Sequence, residues 1–375
     1  MFLKKIESLV KSDKPYFFLI TLFFWRVYLF VVAYFAQIFI PQFKTSFPYI
    51  ETLKNSGLPY WAWSFGNFDG VHYLRIANDG YVYQFTQAFF PLYPILIKIT
   101  SFLSFGNYFI AGLLISNILF LFSVYVFHKL IKESFNKSVA NWACLFLIFF
   151  PTSFYFGSIY TESLFLFLMT SAFYFYQQKK YLLASVLGAL ASSTRIIGIF
   201  LSPALIKTKS PKNFLSLMIT PLGLFLYMVY LKIEFNNPFY FLSAQSAFGQ
   251  ERSTNKIILL PQVIYRSLEQ VLTTKGIVLF NSSFDLAATL FCIILLLMSL
   301  RFVKKSWIIF SFLAILTPTL TGSLISMPRY ILIAFPMYIV LGSINRAWIK
   351  ISLLIFFFIM LTITTALFTR GYWIA

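Results

Sequence analysis

The sequence predicts an all-α protein that crosses a membrane many times. Hydrophobic residues make up 59% of the chain and charged residues only 11%, whereas a soluble domain carries about 25% charged residues. Several apolar runs reach the roughly 20 residues that a helix needs to cross a bilayer. These runs are continuous rather than alternating, which excludes a transmembrane β-barrel.

The net charge of +19 does not indicate a nucleic-acid partner, because the lysines and arginines fall in short clusters between apolar segments. Short basic loops mark the cytoplasmic side of a membrane protein. We therefore expect the lipid bilayer, and no nucleic acid, as a partner. The clusters are Lys4, Lys5, Lys11 and Lys14; Lys129, Lys132 and Lys137; Lys179 and Lys180; Lys207, Lys209 and Lys212; Arg301, Lys304 and Lys305; Arg346 and Lys350.

These clusters orient the first apolar segments. The first span is predicted at 16–40, leaving the cytoplasm, and a long outer loop follows from 41 to about 106. The next three spans are predicted at 107–128, 139–156 and 158–177. The stretch 181–207 has cytoplasmic lysines at both ends. It therefore either crosses twice, as two short helices that meet near 194–198, or enters the membrane and returns.

A second long outer segment, 234–281, is predicted after a span at 213–233. The sequence thus predicts about eleven membrane segments in a single domain, 1–375, with interfacial helices in the first outer loop. The stretch 89–104 is apolar but holds two prolines and Lys98. We expect an interfacial helix there, since a full crossing would invert every later loop. The last four spans are predicted at about 282–302, 306–325, 329–344 and 349–368.

The acidic residues concentrate on one side of this topology. The chain has only eleven of them, and Glu7, Asp13 and Glu133 fall in cytoplasmic loops. An active site that needs a carboxylate would therefore face outward. The remaining acidic residues, outside or at the outer boundary, are Glu51, Asp69, Asp79, Glu162, Glu234, Glu251, Glu269 and Asp285.

Asp69 lies in the polar stretch FDGVHYLRIAND, which directly follows an aromatic-rich segment typical of a membrane interface. A carboxylate at such a boundary is partly desolvated and can act as a general base toward a hydroxyl group. The alternative is a polar turn that anchors the first span. Asp79 is ten residues further on, so no helical spacing forces the two carboxylates together. The chain has only two histidines, His72 and His128, and the sequence shows no metal-ligand cluster.

Three arginines fall inside or beside apolar segments: Arg26 in the first span, Arg195 at the tip of 181–207, and Arg329 at the start of a later span. A guanidinium at membrane depth costs a few kcal/mol, so it normally faces a partner or an aqueous cavity. Its planar set of donors suits phosphate oxygens. The alternative is that each arginine snorkels or pairs internally with Glu162 or a carbonyl.

Tyr160 and Glu162 lie near the predicted outer start of a span. Glu162 is either a helix-start carboxylate favoured by the helix dipole, a ligand for a polyhydroxylated acceptor, or a group that orients an arginine. The polar residues taken together indicate an outward-facing site. Such a site suits an amphiphile with a lipid tail, a phosphate and a polar head.

Five stretches, in this order along 60–336, resemble the PIG-V family: FDGVHYLRIANDGY, AFFPLYP, FFPTSFYFGSIYTESLF, ALASSTRIIGIFLSP and PRYILIAFP. That family includes the second mannosyltransferase of glycosylphosphatidylinositol assembly and bacterial and archaeal relatives. It belongs to the GT-C superfamily of membrane glycosyltransferases.

The resemblance implies a GT-C-like helical bundle that moves a hexose, mannose by family, from a polyprenyl or dolichyl phosphate sugar to an acceptor hydroxyl outside the cytoplasm, with inversion. Asp69 matches the family's acidic residue of the first outer loop, which acts as the base. One departure is Phe68, where the family usually has Trp. The other residues with implied roles are Arg195, Arg329 and His72 for the donor phosphate, and Glu162, Tyr160, Asp79, Tyr73 and Arg26 for the acceptor or for support.

The implied partners are the lipid-linked sugar donor and a glycolipid, glycan or protein acceptor. No cofactor is expected besides the donor. The superfamily includes metal-dependent members, but this sequence shows no metal-ligand cluster. The membrane would be the plasma membrane in a prokaryote and the endoplasmic reticulum in a eukaryote. Two alternatives stay open, a non-catalytic scaffold of a glycosylation complex and a transporter or flippase of lipid-linked sugars.

Overall fold

The computed structural model describes residues 17–44, 50–205, 214, 218–248 and 256–374, and every regular element in these ranges is helical. This confirms the predicted all-α class for the described part of the chain. The α-helices are α1 (Phe17–Phe39), α2 (Ile50–Lys54), α3 (Tyr60–Trp63), α4 (Asp69–Asp79), α5 (Leu92–Thr100), α6 (Tyr108–Ser134), α7 (Lys137–Ile148), α8 (Glu162–Gln177), α9 (Tyr181–Ser192), α10 (Leu201–Leu205), α11 (Leu222–Phe235), α12 (Tyr240–Ser243), α13 (Leu260–Thr273), α14 (Gly276–Ser299), α15 (Lys305–Thr319), α16 (Met327–Tyr330), α17 (Pro336–Gly342) and α18 (Ala347–Thr369).

Four helices of the described residues, α1, α6, α14 and α18, are long and apolar enough to cross a bilayer. All four coincide with predicted spans, although α6 continues to Ser134, beyond the predicted end at 128. The other apolar helices are shorter, with 10–17 residues. The prediction of about eleven spans therefore stays a prediction.

Two predicted spans are interrupted in the structure. In 139–156, α7 ends at Ile148, and a 3₁₀ helix, Ser153–Gly157, follows. Pro151 has no backbone N–H to extend the helix, which explains the break. In 329–344, α16 gives way to a 3₁₀ turn, and Pro336 starts α17. The two predicted spans are therefore not continuous helices, and their crossing of the bilayer stays a prediction.

The stretch 181–205 forms two short pieces, which fits both predicted alternatives. Helix α9 ends at Ser192, and a 3₁₀ helix, Ile196–Phe200, runs into α10. A Cβ on Gly198 would lie 2.4 Å from the Ser192 nitrogen, so the second piece folds directly onto the end of the first. The start of the predicted span 213–233 lies partly outside the described residues, and α11 begins at Leu222.

The region of 89–104 forms α5 and a 3₁₀ turn, Ser101–Ser104. Nine residues of α-helix rise about 14 Å, roughly half the thickness of a bilayer core. This length favours the expected interfacial helix over a full crossing. The side chain of Asn107 then caps α6 by accepting a hydrogen bond from the Ile110 nitrogen at 3.0 Å.

The described residues divide into two compact units. The first contains the chain up to Asn78, Tyr93–Tyr174 and Tyr338–Ile374. Within it, α1 packs against α18, where the Tyr28 ring stacks on Phe358 at 4.6 Å. Helix α6 packs against α7 and against the 3₁₀ helix that holds Phe156, whose ring stacks on Phe120 at 4.4 Å. Aromatic contacts of this kind add to the dispersion energy of buried side chains.

The second unit contains Asp79–Leu92 and Phe175–Met337. A Cβ on Gly223 would lie 1.9 Å from the Ala189 carbonyl oxygen, so the start of α11 packs directly on the α9 backbone. Helices α14 and α15 line a cavity of about 350 Å³, and Leu260 of α13 also belongs to its lining. All of its lining residues except Thr319 are apolar.

Candidate functional site

Asp69 is the first residue of α4 and is half-buried. The helix dipole favours a negative charge at this end. Phe68, directly before it, has a backbone φ of 59°, in the left-handed region. Residues other than glycine seldom adopt this conformation, and it costs about 1–3 kcal/mol. The sequence did not indicate this strained turn.

Asn67 fixes the chain on the other side of Phe68. Its side chain is fully buried, and Nδ2 donates hydrogen bonds to the carbonyl oxygens of Phe368, at 2.8 Å, and Thr369, at 3.4 Å. Its own carbonyl accepts a hydrogen bond from the Tyr160 hydroxyl at 2.9 Å. The turn before Asp69 is therefore held both by the end of α18 and by the segment that precedes α8.

The start of α4 also packs closely on that segment. A Cβ on Gly70 would lie 3.3 Å from the Ile159 carbonyl oxygen, and the Ile159 nitrogen donates to the Phe65 carbonyl at 3.0 Å. Glu162 is the first residue of α8 and is buried, with 1% of its side chain exposed. The structure thus confirms its predicted helix-start position, while an acceptor role stays a prediction.

His72 lies one helical turn after Asp69 and is half-buried. Burial lowers the pKa of His72 below its ordinary value, since it penalises the charged ring. The negative charge of Asp69 opposes this shift, and the positive charge of Arg75 adds to it. The imidazole is therefore neutral near pH 7, and it can donate one hydrogen bond but brings no positive charge to a phosphate.

Tyr73 faces the Tyr93 ring edge-on, with ring centroids 5.2 Å apart. The Tyr93 hydroxyl in turn lies 2.7 Å from the Ser116 hydroxyl, on α6. Tyr73 is buried, and its ring contact joins α4 to α5. This arrangement suits the supporting role predicted for Tyr73.

The contacts of Arg26 are with aromatic rings and not with Glu162, the pairing that was one alternative above. Its guanidinium carbon lies 4.0 Å from the centroid of the Phe30 ring and 4.3 Å from that of Phe65. Its two terminal nitrogens are buried and have no hydrogen-bond partner among the described residues. The two aromatic faces compensate part of the desolvation by cation–π attraction. Arg26 thus links α1 to the short helix that leads into the Asp69 turn.

In the second unit, Arg195 and Arg329 share one aromatic ring. Their guanidinium carbons lie 5.5 Å and 5.2 Å from the centroid of Tyr330. The Arg329 Nη2 also donates to the Tyr330 hydroxyl at 3.4 Å. Arg329 is only 6% exposed, whereas Arg195 is half-buried. The fold thus brings together two of the predicted phosphate ligands, which are far apart in the sequence.

Asp79 is not part of either arrangement. It is the last residue of α4, it is exposed, and it accepts a hydrogen bond from the Tyr83 hydroxyl at 3.2 Å. Asp69 is at the opposite end of the same helix. Among the described residues, no group of three or more His, Cys, Asp or Glu side chains could hold a metal ion.

Three residues of these arrangements were missed by sequence reasoning: Asn67, Phe65 and Tyr330. Asn67 and Phe65 fall in the stretch that drew attention to Asp69, where an asparagine among aromatic residues was the available signal. Tyr330 follows Arg329 directly in the sequence. Nothing in the sequence, however, indicates that the distant Arg195 contacts the same ring. Of the predicted second outer segment, 234–281, residues 249–255 lie outside the described part of the chain.

Comparison with known proteins gives three similarities. A family model described as Mannosyltransferase (PIG-V) matches residues 16–229. GPI mannosyltransferase 2 of Drosophila pseudoobscura pseudoobscura is 28% identical over 140 residues, which cover 34% of this chain and 29% of that protein. The match thus spans less than a third of the relative's length.

The third similarity is to a solved structure. It is the crystal structure of the Archaeoglobus fulgidus oligosaccharyltransferase in complex with Zn and sulfate. The match covers 81% of this chain and 48% of the oligosaccharyltransferase chain. The TM-score is 0.45 and the sequence identity 15%. This likeness is too distant to bear on the fold or the site described above.

Proposed function

The chain belongs to the PIG-V mannosyltransferase family, and from this premise we propose that it transfers mannose from a polyprenyl or dolichyl phosphate sugar to an acceptor hydroxyl. The observation that carries the proposal is the pair Arg195 and Arg329 on the Tyr330 ring. Each guanidinium presents a planar set of donors that suits phosphate oxygens, and the shared ring brings together two such groups from distant parts of the sequence.

Asp69 is the proposed general base. Its carboxylate takes the proton of the acceptor hydroxyl as that oxygen attacks the anomeric carbon of the sugar. The bond from the anomeric carbon to the donor's phosphate oxygen breaks, and the lipid phosphate leaves with the bonding electron pair. One displacement inverts the anomeric configuration. The two arginines stabilise the charge that develops on the leaving phosphate.

The cavity between α14 and α15 supports a lipid-linked donor. Both helices pack against α16, which carries Arg329, and the 3₁₀ helix that follows Arg195 packs against α15. The cavity walls include Ile293 and Leu297 of α14 and Phe312 of α15. An apolar cavity on two helices that pack against the segment carrying Arg329 suits the apolar tail of an isoprenoid phosphate. We assign the isoprenoid tail of the donor to this cavity.

The remaining roles are part of the same proposal. Tyr160 and Glu162, beside the Asp69 turn, are assigned to the acceptor, and Tyr73 and Arg26 to support of that turn. His72 is assigned to the acceptor side as a neutral donor, and Asp79 has no assigned role. The reaction is placed on the outer face of the membrane, since the basic clusters of the sequence mark the opposite face.

The test is donor consumption by purified protein in detergent. The donor is a polyprenyl phosphate mannose, the acceptors are crude glycolipid and glycopeptide extracts, and wild type is compared with Asp69→Asn. A loss of about 100-fold or more is expected in the variant, the size of a general-base contribution. Asp79→Asn is the matched control, because it removes an exposed carboxylate from the same helix, and it is expected to keep its turnover.

Equal consumption by wild type and Asp69→Asn would overturn the base assignment. The phosphate assignment is tested separately by donor binding, in which Arg195→Gln and Arg329→Gln are each expected to weaken affinity at least tenfold. Binding that is unaffected by either change would contradict it. A protein that moves the donor across vesicle membranes without consuming it would instead be a transporter.

A further inference from the structure

The end of α18 is built to receive side-chain donors. Gly371 adopts a left-handed φ of 74°, its nitrogen donates to the Phe368 carbonyl at 3.0 Å, and the Tyr372 nitrogen donates to the Leu367 carbonyl at 3.0 Å. This pair of hydrogen bonds is the Schellman motif that ends many helices. The last carbonyls of a helix still point outward and carry partial negative charge, so they attract further donors.

Two side chains from the loop between α1 and α4 bind these carbonyls. Tyr60 donates to the Thr369 carbonyl at 2.6 Å, and Asn67 donates to the carbonyls of Phe368 and Thr369. Of these two residues, only Asn67 is close in sequence to Asp69. The strained Phe68 lies between Asn67 and Asp69. The Asn67 contacts therefore bear directly on the turn, whereas the Tyr60 contact does not.

The Phe68 side chain is held by the same end of α18. Its ring meets Trp373 edge-on, with centroids 4.9 Å apart, and Phe368 at 5.8 Å. A strained backbone conformation persists only where its surroundings over-determine it. Here the Asn67 amide, the Tyr160 hydroxyl and these two rings supply that constraint. Without the hydrogen bonds, the turn would relax to ordinary backbone and the Asp69 carboxylate would move with it.

We propose that Asn67 is a positioning residue that sets the direction of the Asp69 carboxylate through the turn at Phe68. This inference rests on the proposed role of Asp69 as general base. Asn67 touches no reacting atom and acts by joining the Asp69 turn to the end of α18 and to Tyr160. A displacement of about 1 Å in a catalytic group lowers turnover by up to about 100-fold. Asn67→Ala is therefore expected to lower kcat by about 10- to 100-fold, with donor affinity unchanged.

The decisive experiment is a double-mutant cycle on turnover, with Asn67→Ala, Asp69→Asn and the combined variant. If Asn67 acts through Asp69, then Asn67→Ala costs nothing further once Asp69→Asn is present. If Asn67 only stabilises the fold, the two losses multiply. Tyr60→Phe is the matched control, because it removes a hydrogen bond to the same helix end without touching the turn. It is expected to keep the wild-type kcat.

A second readout is independent of turnover. The charge of Asp69 raises the pKa of His72, so the His72 titration, followed by NMR, reports how close the carboxylate is held. The chain has only two histidines, and a His128→Gln background leaves His72 alone. Asp69→Asn is expected to lower the His72 pKa in that background. The lowering is expected to shrink when Asn67→Ala is also present.

The outcomes separate this inference from the proposed function. Full turnover in Asp69→Asn overturns the base assignment and this inference with it. Two results would overturn only the role of Asn67 while Asp69→Asn is inactive. One is full activity of Asn67→Ala, and the other is a combined variant in which the losses of the two single variants multiply. If Asn67→Ala does not fold, Tyr160→Phe removes the opposite hydrogen bond of the same turn. The His72 coupling must then shrink in Tyr160→Phe, and unchanged coupling overturns the inference.

Discussion

The pair of guanidinium groups on Tyr330 depends on one ring for its spacing. Arg329 contacts both the face of that ring and its hydroxyl, and Arg195 reaches it from another element. Cation–π contacts are worth about 0.5–2 kcal/mol each, depending on their exposure. The position of the Tyr330 ring therefore determines how the two guanidinium groups are placed relative to the proposed donor phosphate.

Tyr330→Leu is expected to weaken donor binding about tenfold, because both arginines lose the surface that orients them. Tyr330→Phe keeps the ring and loses only the hydroxyl, so its affinity should stay within about threefold of wild type. Affinity is measured by titrating polyprenyl phosphate mannose against protein in nanodiscs. Equal weakening in the two variants would assign the effect to the hydroxyl and not to the ring.

His72 gives a prediction about pH. Its pKa in the folded protein is lowered by burial, so between this value and about 6.5 the unfolded chain binds a proton that the folded protein does not. Stability is therefore complete above about pH 6.5 and falls as the pH drops through the window below it. We expect the melting temperature in detergent to fall more for wild type than for His72→Gln between about pH 7.5 and about pH 5. A parallel fall in both proteins would contradict this expectation.

At the level of the helices, interruptions of the helical backbone determine the positions of the site residues. Pro151 and Pro336 interrupt stretches that hydropathy predicts as single spans, and each break lies close to residues of the candidate sites. Hydropathy measures only the cost of transferring side chains into lipid, and an interrupted helix has the same composition as a continuous one. In the sequence, the two prolines are the signal that a helix ends near these positions.

The tip between α9 and α10 depends on close backbone contact. Gly198→Ala would place a Cβ 2.4 Å from the Ser192 nitrogen, where no side chain can yield. Overpacking of this kind typically costs about 1–3 kcal/mol, and it would shift Arg195, three residues earlier. Lower thermal stability and weaker donor binding are both expected. The control is Gly112→Ala, whose Cβ would lie nearest to the Ile159 side chain, at 3.0 Å. Wild-type behaviour of Gly198→Ala would show that the tip tolerates a shift.

The cavity between α14 and α15 predicts a dependence on the length of the donor lipid. Leu297→Trp places a larger side chain in the cavity wall, and it should weaken binding of a long-chain polyprenyl donor about tenfold. A donor with a single isoprene unit should be affected less, because its short tail fills less of the cavity and each buried methylene contributes about 0.8 kcal/mol. The control is Leu290→Trp, on the same helix but outside the cavity lining. If both donors lose affinity equally, the tail does not occupy this cavity.

For the whole molecule, the charge distribution predicts which side of the membrane each loop occupies. Both cysteines of the chain, Cys144 and Cys292, are buried, so a cysteine introduced on the surface can be labelled against a quiet background. In intact cells, Val82→Cys, in a segment where Val82 is 70% exposed, is expected to react with an impermeant maleimide. Arg301→Cys, in a basic cluster, should react only after permeabilisation. The reverse pattern would invert the topology and place Asp69 on the cytoplasmic side.

Much of the architecture could be predicted because the physics of a bilayer is simple. Apolar length and basic loops indicated the all-α class, the four long helices and the break near 194–198. Asp69 and the two arginines were indicated because charge is costly beside lipid. The contacts of Asn67 and Tyr330 could not be predicted, since they join residues far apart in the sequence and no periodicity encodes which chain segments meet.

The left-handed turn at Phe68 also restricts how this sequence can diverge. A β-branched side chain at that position would clash with its own backbone at a φ of 59°, and proline cannot adopt it at all. Valine, isoleucine, threonine and proline should thus be absent at this site from homologues that share the turn, while aromatic residues, asparagine and glycine are admitted. The residue before the aspartate can therefore serve as a filter that separates homologues with the same turn from proteins that share only the aspartate.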